Sequence, residues 1–289
     1  MQILFATDGS EGALQAAPLL TDLPLEADCQ LTLLTVNEGA DEIGARQALA
    51  ATEQALSHVT ASLSLAERHG HAAEEIVRLA TELPADLIVV GSHGRRGLAR
   101  FLLGSTCERV ARHAACPVLV IRGDVHPIRR VLIGLDGSEC SEHLIEWLHT
   151  FPWPLDAELR LVTVIPNLHS LAREHFVLMP PLVPQPVAFD IWQREQAQVH
   201  LRSTAAGFVR PDLTVVTNVR SGDPLPVLLD AAREEGADLI VVGSHGYGAF
   251  DRLLLGSVSE NLLRHAPCSV LVVRQPARVA AEVLVPAPA

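Results

Sequence analysis

The sequence predicts an α/β protein made of two tandem domains, each an open parallel sheet of five strands flanked by helices. The first observation is an internal repeat: "ADLIVVGSHG" at 85–94 returns unchanged at 237–246, and such self-similarity indicates a repeated structural unit. The second is the alternation of short apolar runs with longer helical patterns, which is typical of β-α-β units around a parallel sheet.

In the first half these runs alternate in the order that the fold requires. Strands are predicted near 2–7, 30–36, 62–67, 86–91 and 117–122, and helices near 11–21, 40–58, 73–82 and 105–114. The runs "LIVVG" and "VLVIR" are apolar on both faces, as expected of parallel strands that helices cover on each side.

The second half repeats this order with an insertion. Strands are predicted near 130–135, 158–164, 213–219, 238–243 and 269–274. "ILFATDGSE" at 3–11 is matched 128 residues later, whereas "ADLIVVGSHG" returns 152 residues later, so 24 residues are inserted between them. The segment 167–190, with Pro180, Pro181, Pro184 and Pro186, is predicted as a long loop or lid because prolines disfavour regular helices and central strands. A surface excursion without function is the alternative.

A polar segment separates the two halves. "RGDVHPIRR" at 122–130 contains a proline and has the composition of a linker. The domains are therefore predicted as 1–125 and 126–276, and they are followed by a tail at 277–289. The tail is either disordered or able to add the strand "AEVLV" to a neighbour.

The composition excludes several classes of function. A formal net charge of -12 argues against binding to nucleic acid or to an anionic membrane surface. All 22 basic residues are arginine, which excludes a Walker A loop and Schiff-base catalysis because both need lysine. The five scattered cysteines, the absence of a signal-peptide pattern and the absence of an apolar run of membrane-spanning length predict a cytoplasmic protein.

An aspartate follows the first predicted strand of each half. Ligands of open parallel sheets bind beyond the carboxyl ends of the strands, and Asp8 and Asp136 are suited there to accept hydrogen bonds from ribose hydroxyls. Val36 and Val164 close the second strands and offer backbone groups and an apolar surface to a base. The alternative is that the two aspartates only shape the turn before the following serine.

Two glycine-rich segments follow the fourth strands. They read "GSHGRRGLARFLLGS" at 91–105 and "GSHGYGAFDRLLLGS" at 243–257. Glycines that let a phosphate approach a helix N-terminus, followed by a serine hydroxyl, form an anion site without lysine. The alternatives are that the glycines reflect turn geometry and that Ser105 and Ser257 are N-caps.

The spacing G-x2-G-x9-G-S, which occurs twice, resembles the ATP-binding branch of the universal stress protein family. "ILFATDGSEGA", "ADLIVVGSHG", "LLGS" and "RHAACPVLVIR" are similar to that family's segments in family order, over both halves except 167–190 and the tail. The resemblance implies a Rossmann-like fold of the adenine nucleotide alpha hydrolase type. It also implies that the last strands, "PVLVIR" and "SVLVVR", pair the halves as an internal pseudo-dimer.

The same resemblance implies ATP binding, with magnesium accompanying the triphosphate. The implied ATP-binding residues are Asp8, Val36, Gly91, Gly94, Arg95, Gly104 and Ser105 in the first domain, and Asp136, Val164, Gly243, Gly246, Gly256 and Ser257 in the second. No catalytic residue and no protein ligand for a metal is predicted.

The two copies differ inside the motif. The first has Arg95, Arg96 and Arg100, where the second has Tyr247, Phe250, Asp251 and Arg252. Because extra guanidiniums favour a triphosphate and an inward-facing carboxylate opposes it, tighter ATP binding is expected in the first domain.

The sequence favours a nucleotide-dependent stress-response sensor or regulator over an enzyme. No G-x-S-x-G elbow, H-E-x-x-H pair or metal-spaced cysteine cluster is present. His93 and His245 are expected to hydrogen-bond within their loops, and orienting a water for slow ATP hydrolysis is the alternative. A further alternative is an adapter without nucleotide. The expected partners are an adenine nucleotide, an unidentified protein and a second copy of this chain, in a homodimer of pseudo-dimeric chains.

Overall fold

The computed structural model describes residues 1–39, 42–93, 103–123, 126–166, 186–208, 210–246 and 255–274. Within these ranges, strands and helices alternate along both halves. The strands are β1 Gln2–Ala6, β2 Gln30–Asn37, β3 Ser62–His69, β4 Leu87–Gly91, β5 Val118–Ile121, β6 Arg130–Gly134, β7 Glu158–Ile165, β8 Thr214–Ser221, β9 Leu239–Gly243 and β10 Ser269–Val273. The helices are α1 Glu11–Leu14, α2 Ala16–Asp22, α3 Glu42–Ala55, α4 Ala72–Glu82, α5 Ser105–His113, α6 Glu139–Thr150, α7 Pro186–Gly207, α8 Pro224–Glu235 and α9 Ser257–His265.

The described strands form one continuous sheet in the order β3-β2-β1-β4-β5-β10-β9-β6-β7-β8. Neighbours are parallel within each half, but β5 and β10 are antiparallel, with Leu119 opposite Leu271. This pairing confirms the predicted fold class and the internal pseudo-dimer through the last strands. Because the junction is antiparallel, the carboxyl ends of the strands lie at opposite edges of the sheet in the two halves.

Both faces of the central strands of the sheet are buried. In β4, Leu87 and Val89 belong to one apolar core and Ile88 and Val90 to the other, as the alternation of side chains along a strand requires. Residues of α2, α3, α6 and α7 close the first core, and residues of α4, α5, α8 and α9 close the second. The two-sided apolar character of the central strands is thus the consequence of two helical layers.

A buried arginine after each last strand crosses to the other half. Arg274 donates from Nη1 to the carbonyl oxygens of Ala111 (2.8 Å) and Arg112 (2.7 Å), at the C-terminal end of α5. Arg122 donates to the carbonyl oxygen of Leu263 near the C-terminal end of α9. Burial lowers the pKa of both guanidiniums, yet arginine stays protonated in proteins. Each cation is therefore placed where the helix dipole is negative.

A ring of four charged side chains joins α5 to α9 across the same junction. Arg112 lies 3.2 Å from both Glu108 and Glu260, and Arg264 lies 2.8 Å from Glu108 and 3.1 Å from Glu260. The four side chains are 28–39% exposed, so solvent screens the ring and its contribution to stability is modest.

The helix predicted near 11–21 is divided in two. α1 ends at Leu14 and α2 begins at Ala16. Pro18 has no N–H to donate to the carbonyl of Leu14, and its ring would clash with that carbonyl in a continuous helix. The single predicted helix was wrong for this reason.

The insertion ends in a helix. The prediction of a loop over 167–190 is wrong for its last five residues, because α7 begins at Pro186, and proline is tolerated in the first turn of a helix. Residues 167–185 and the predicted tail at 277–289 lie outside the described residues. α7 has 22 residues and α3 has 14. The buried Leu49 and Leu201, 152 residues apart, mark corresponding positions in the two helices.

Candidate functional site

The residues predicted to bind a nucleotide follow neighbouring strands. β1 lies between β2 and β4, so the chain leaves β1 at a point where the connections diverge, and such points hold the ligands of open α/β sheets. Asp8 follows β1, Val36 is near the end of β2 and Gly91 ends β4. The structure brings these three residues to one edge of the sheet.

The second half has the same arrangement at the opposite edge. Asp136 follows β6, Val164 is near the end of β7 and Gly243 ends β9. We call the described site residues of each half its cradle. The first cradle consists of Asp8, Val36, Gly91, Gly104 and Ser105, and the second of Asp136, Val164, Gly243, Gly246, Gly256 and Ser257.

Both aspartates shape the turn into the next helix. Asp8 Oδ1 accepts a hydrogen bond from the N–H of Ser10, and Asp136 Oδ1 accepts one from the N–H of Ser138, each at 3.0 Å. The glycine between aspartate and serine has φ 70° in the first half and 76° in the second. The turn-forming role that the sequence left as an alternative is therefore present in both halves.

Asp136 has further contacts that differ from those available in the first half. Ser141 Oγ donates to Asp136 Oδ1 at 2.6 Å, whereas the corresponding residue, Ala13, has no hydroxyl. A Cβ on Gly246 would lie 2.6 Å from Asp136 Oδ2. The loop glycine of the second half is therefore packed directly against the carboxylate, as an alanine could not be.

A glycine caps the helix that follows each glycine-rich loop. The N–H of Gly104 donates to the carbonyl of Ser92 at 2.8 Å, and that of Gly256 donates to the carbonyl of Ser244 at 2.7 Å. A Cβ would lie 3.1 Å from the Ser92 oxygen and 3.2 Å from the Ser244 oxygen, which is tighter than ordinary van der Waals contact. Glycine permits this close approach of helix and strand end.

The alternative that Ser105 and Ser257 are only N-caps is wrong. Gly104 and Gly256 are the N-caps and have extended backbone, with φ and ψ of -67° and 144° and of -68° and 153°. The serines occupy the first helical position, both exposed, and no side chain of the described residues caps either helix. N-terminal N–H groups and a nearby hydroxyl suit an anion.

Gly12 and Cys140, which pack against the strand-end glycines Gly91 and Gly243, were missed from the sequence. We call them the floor residues of the first and second cradle. A Cβ on Gly91 would lie 3.1 Å from the carbonyl oxygen of Gly12, and a Cβ on Gly12 would lie 3.1 Å from the carbonyl oxygen of His93. In the second half Cys140 replaces Gly12, and its Cβ lies 3.4 Å from the Cβ position of Gly243. Comparing the halves at a displacement of 128 residues would have revealed this exchange.

The loop histidines are hydrogen-bonded to their neighbours. His93 Nδ1 lies 2.7 Å from Ser92 Oγ, and His245 Nδ1 lies 2.9 Å from Ser244 Oγ. This is the arrangement expected within the loop. Among the described residues, no group of three or more His, Cys, Asp or Glu side chains is placed to hold a metal ion.

Cys107, near the start of α5, is not an activated nucleophile. Burial raises the pKa of its thiol to about 12, and a thiol is nucleophilic only as the thiolate. In the second half Ser259 takes this position and donates from Oγ to the carbonyl of Ser244 at 3.0 Å. The two cradles therefore differ below the helix N-terminus as well.

Two of the predicted ATP-binding residues cannot be placed in the site. Gly94 and Arg95 lie outside the described residues, as do all the other residues of the arginine contrast: Arg96, Arg100, Tyr247, Phe250, Asp251 and Arg252.

A groove of about 360 Å³ between α4 and α5 contains none of the cradle residues and is lined by Ala73, Glu74, Val77, Arg78, Arg109 and His113. No described helix is long and apolar enough to cross a membrane.

Comparison with solved structures supports the fold over nearly the whole chain. A universal stress protein from Archaeoglobus fulgidus aligns with a TM-score of 0.67 at 22% identity, covering 94% of this chain and 98% of that protein. One from Pseudomonas aeruginosa aligns with a TM-score of 0.66 at 18% identity, covering 94% and 92%. At these identities the likeness concerns the fold.

Sequence comparisons identify the family. A universal stress protein of Mycolicibacterium smegmatis is 37% identical over 198 residues, 66% of this chain and 62% of the relative. One of Mycobacterium tuberculosis is 31% identical over 213 residues, 72% of this chain and 64% of the relative. The chain thus matches just under two thirds of these relatives' length. The sequence model of the universal stress protein family matches residues 1–122 and again 127–274. The chain therefore belongs to the universal stress protein family and carries two copies of its domain.

Proposed function

We propose that this universal stress protein binds ATP in one or both cradles and acts in the stress response as a nucleotide-dependent sensor or regulator. The observation that carries the proposal is the glycine N-cap of α5 and α9, which packs on the end of the preceding strand and receives no side-chain cap from the described residues. It occurs in both halves beside the aspartate that follows the first strand. A helix N-terminus kept clear of side chains attracts phosphate even without lysine.

The residues present fit the parts of ATP separately. ATP supplies a triphosphate with its magnesium, a ribose and an adenine base. The N–H groups at the start of α5 and the Ser105 hydroxyl suit a phosphate, the Asp8 carboxylate suits ribose hydroxyls and the half-buried Val36 offers an apolar surface to the base. Since the described residues contain no cluster of metal ligands, magnesium would be held by the phosphates and water.

The first cradle is the tighter site in this proposal. Gly12 leaves its floor without a side chain, whereas Cys140 occupies the second floor. Ser141 already donates to Asp136 Oδ1, and a ribose hydroxyl would compete with that bond. Both differences act in the same direction as the extra arginines of the first glycine-rich segment.

The proposed role is binding and not catalysis. Bound ATP would favour one conformation of the glycine-rich loops and so change a surface that a protein partner recognises. We place the protein in the cytoplasm, as a homodimer of pseudo-dimeric chains. A nucleotide-free adapter and a slow ATPase are the outcomes that the experiment separates from a sensor.

The test is ATP titration by calorimetry of the wild type and of Gly104→Val, Gly256→Val and the double variant. Mass spectrometry of nucleotide released by heat from the purified wild type accompanies it. We expect each single variant to lose one site, the double variant to lose both, and Gly104→Val to remove the tighter one. Thermal unfolding confirms that each variant folds, and each single variant is the matched control for the other.

Three results would contradict parts of the proposal. If the wild type neither binds ATP on titration nor releases an adenine nucleotide, the proposal is wrong and the protein is a nucleotide-free adapter. If the two single variants lose sites of equal ATP affinity, the ranking of the cradles is wrong. Multiple-turnover hydrolysis far above that of the double variant would make the protein an ATPase.

A further inference from the structure

The solvent-facing side of α7 carries a stripe in which large apolar side chains alternate with charged ones. Trp192 and Val199 are 54% and 62% exposed, and they alternate along the helix with the exposed charges Glu195 and Arg202. The spacing i, i+3, i+7, i+10 puts all four on one side of the helix. We call these four residues the α7 stripe. Ile191, 53% exposed, lies at its margin.

The exposure of the α7 stripe does not reflect a poorly docked helix. The opposite side of α7 is held by Leu201, which is fully buried, and by Arg194, whose Nη2 donates to Ser221 Oγ at 2.6 Å. In α3 the position that corresponds to Val199, 152 residues earlier, is the exposed Gln47. A large exposed apolar residue at this position is therefore a property of the second half, and adjacent exposed apolar side chains mark interaction surfaces.

The charges of the stripe indicate which partner fits it. Glu195 and Arg202 are two turns apart, about 10 Å along the axis, and neither forms an ion pair with another described residue. Two copies of α7 paired antiparallel about Val199 would place each Glu195 opposite the partner's Ser203 and one residue, about 1.5 Å along the axis, from the partner's Arg202, which is within reach of an ion pair. The same register would bring Trp192 over the partner's Ala206, which is small and exposed. A parallel pair would instead place like charges together.

We propose that the α7 stripe is the surface through which two copies of this chain associate, antiparallel and with Val199 near the two-fold axis. The inference specifies the interface of the homodimer in the proposed function and does not depend on ATP binding. It is separate from the β5–β10 junction, which joins the two halves within one chain. The assembly is thus a dimer of pseudo-dimers.

The test is sedimentation velocity of the full chain over a concentration series, with wild type, Glu195→Arg, Arg202→Glu and the double charge reversal. Each single reversal places like charges opposite each other and is expected to raise the dimer dissociation constant at least about tenfold. The double reversal restores both pairs and is expected to return to within about threefold of wild type. Val199→Glu abolishes the dimer, whereas the matched Gln47→Glu on α3 leaves it unchanged.

The remaining outcomes overturn the proposal in distinguishable ways. A monomeric wild type at every concentration overturns the interface, and ATP titration of the same samples reports separately on the nucleotide site. A dimer that is insensitive to all α7 variants uses another surface. If the dimer of the double reversal is no tighter than the dimers of the single reversals, the two charges do not face each other. Unchanged thermal unfolding of each variant excludes misfolding as the cause.

Discussion

Arg274 and Ala111 belong to different halves of the chain, yet Arg274 Nη1 lies 2.8 Å from the Ala111 carbonyl oxygen. The guanidinium is almost completely buried and occupies the C-terminal end of α5. Its counterpart, Arg122, binds α9 in the same way. The strand that ends one half therefore completes a helix of the other, and neither helix end is satisfied by its own half alone.

Arg274→Ala should lower the free energy of unfolding by about 2 to 3 kcal/mol, because hydrogen bonds to a charged donor are lost and the carbonyls stay buried. Chemical denaturation measures the loss. Arg264→Ala, which removes a partly exposed member of the charged ring, should cost less than about 1 kcal/mol. Equal losses for the two variants would contradict the role given to Arg274.

Exchange of the floor residues should reduce the difference in ATP affinity between the two cradles. Gly12→Cys adds a side chain 3.1 Å from the carbonyl of His93. Since that atom is backbone, the loop must shift, at a cost of about 1 to 3 kcal/mol in stability. We expect weaker ATP binding in the first cradle, and tighter binding in the second for Cys140→Gly. Calorimetry measures the ATP affinity of the first cradle in a Gly256→Val background and that of the second cradle in a Gly104→Val background. If neither substitution changes the affinity, the floor residues do not line the site.

Gly246→Ala should affect binding more than folding. The new Cβ would meet Asp136 Oδ2, and a carboxylate can rotate away at small cost, so we expect less than about 1 kcal/mol lost in unfolding. If Asp136 binds the ribose, ATP affinity in the second cradle should fall about tenfold. In an Asp136→Ala background the same substitution should have no further effect. An additional loss there would mean that Gly246 acts independently of the carboxylate.

The stability of the protein should fall as the pH rises above 9. Burial raises the pKa of the Cys107, Cys116 and Cys268 thiols to about 12, from an ordinary value of 9.0. The unfolded chain then releases protons that the folded chain retains, so this stability is complete below pH 9 and is lost towards pH 12. We expect a loss of about 1 kcal/mol per thiol between pH 9 and pH 10. Denaturant unfolding under reducing conditions measures it, and a triple cysteine-to-alanine variant should show a shallower fall.

Most of the strands and helices could be predicted because buried parallel strands leave a continuous apolar signal. "LIVVG" in β4 and β9 is unambiguous since both of its faces are covered. The break at Gln15 could not be predicted from periodicity, because the apolar pattern continues through Pro18. The start of α7 was missed for a related reason: the effect of Pro186 depends on whether it stands in the first turn of a helix or inside it.

The candidate site was predictable only as far as strand ends determine it. Asp8 and Gly91 could be assigned to one edge because the carboxyl ends of parallel strands share an edge. The alternative that Ser105 is the N-cap was wrong because the hydrogen bond from the Gly104 N–H to the Ser92 carbonyl places the cap one residue earlier. The replacement of Gly12 by Cys140 is visible when the halves are aligned, but its place beside Gly91 and Gly243 is not, because the closeness of a helix start to a strand end depends on backbone packing.

The antiparallel junction at Leu119 and Leu271 places the two cradles at opposite edges of one sheet. A protein that binds at the edge of the sheet carrying the first cradle would therefore leave the second cradle accessible to another protein. If two chains associate through α7 as proposed, the dimer would carry four cradles. With ATP bound as proposed, each cradle could be recognised by a different protein partner.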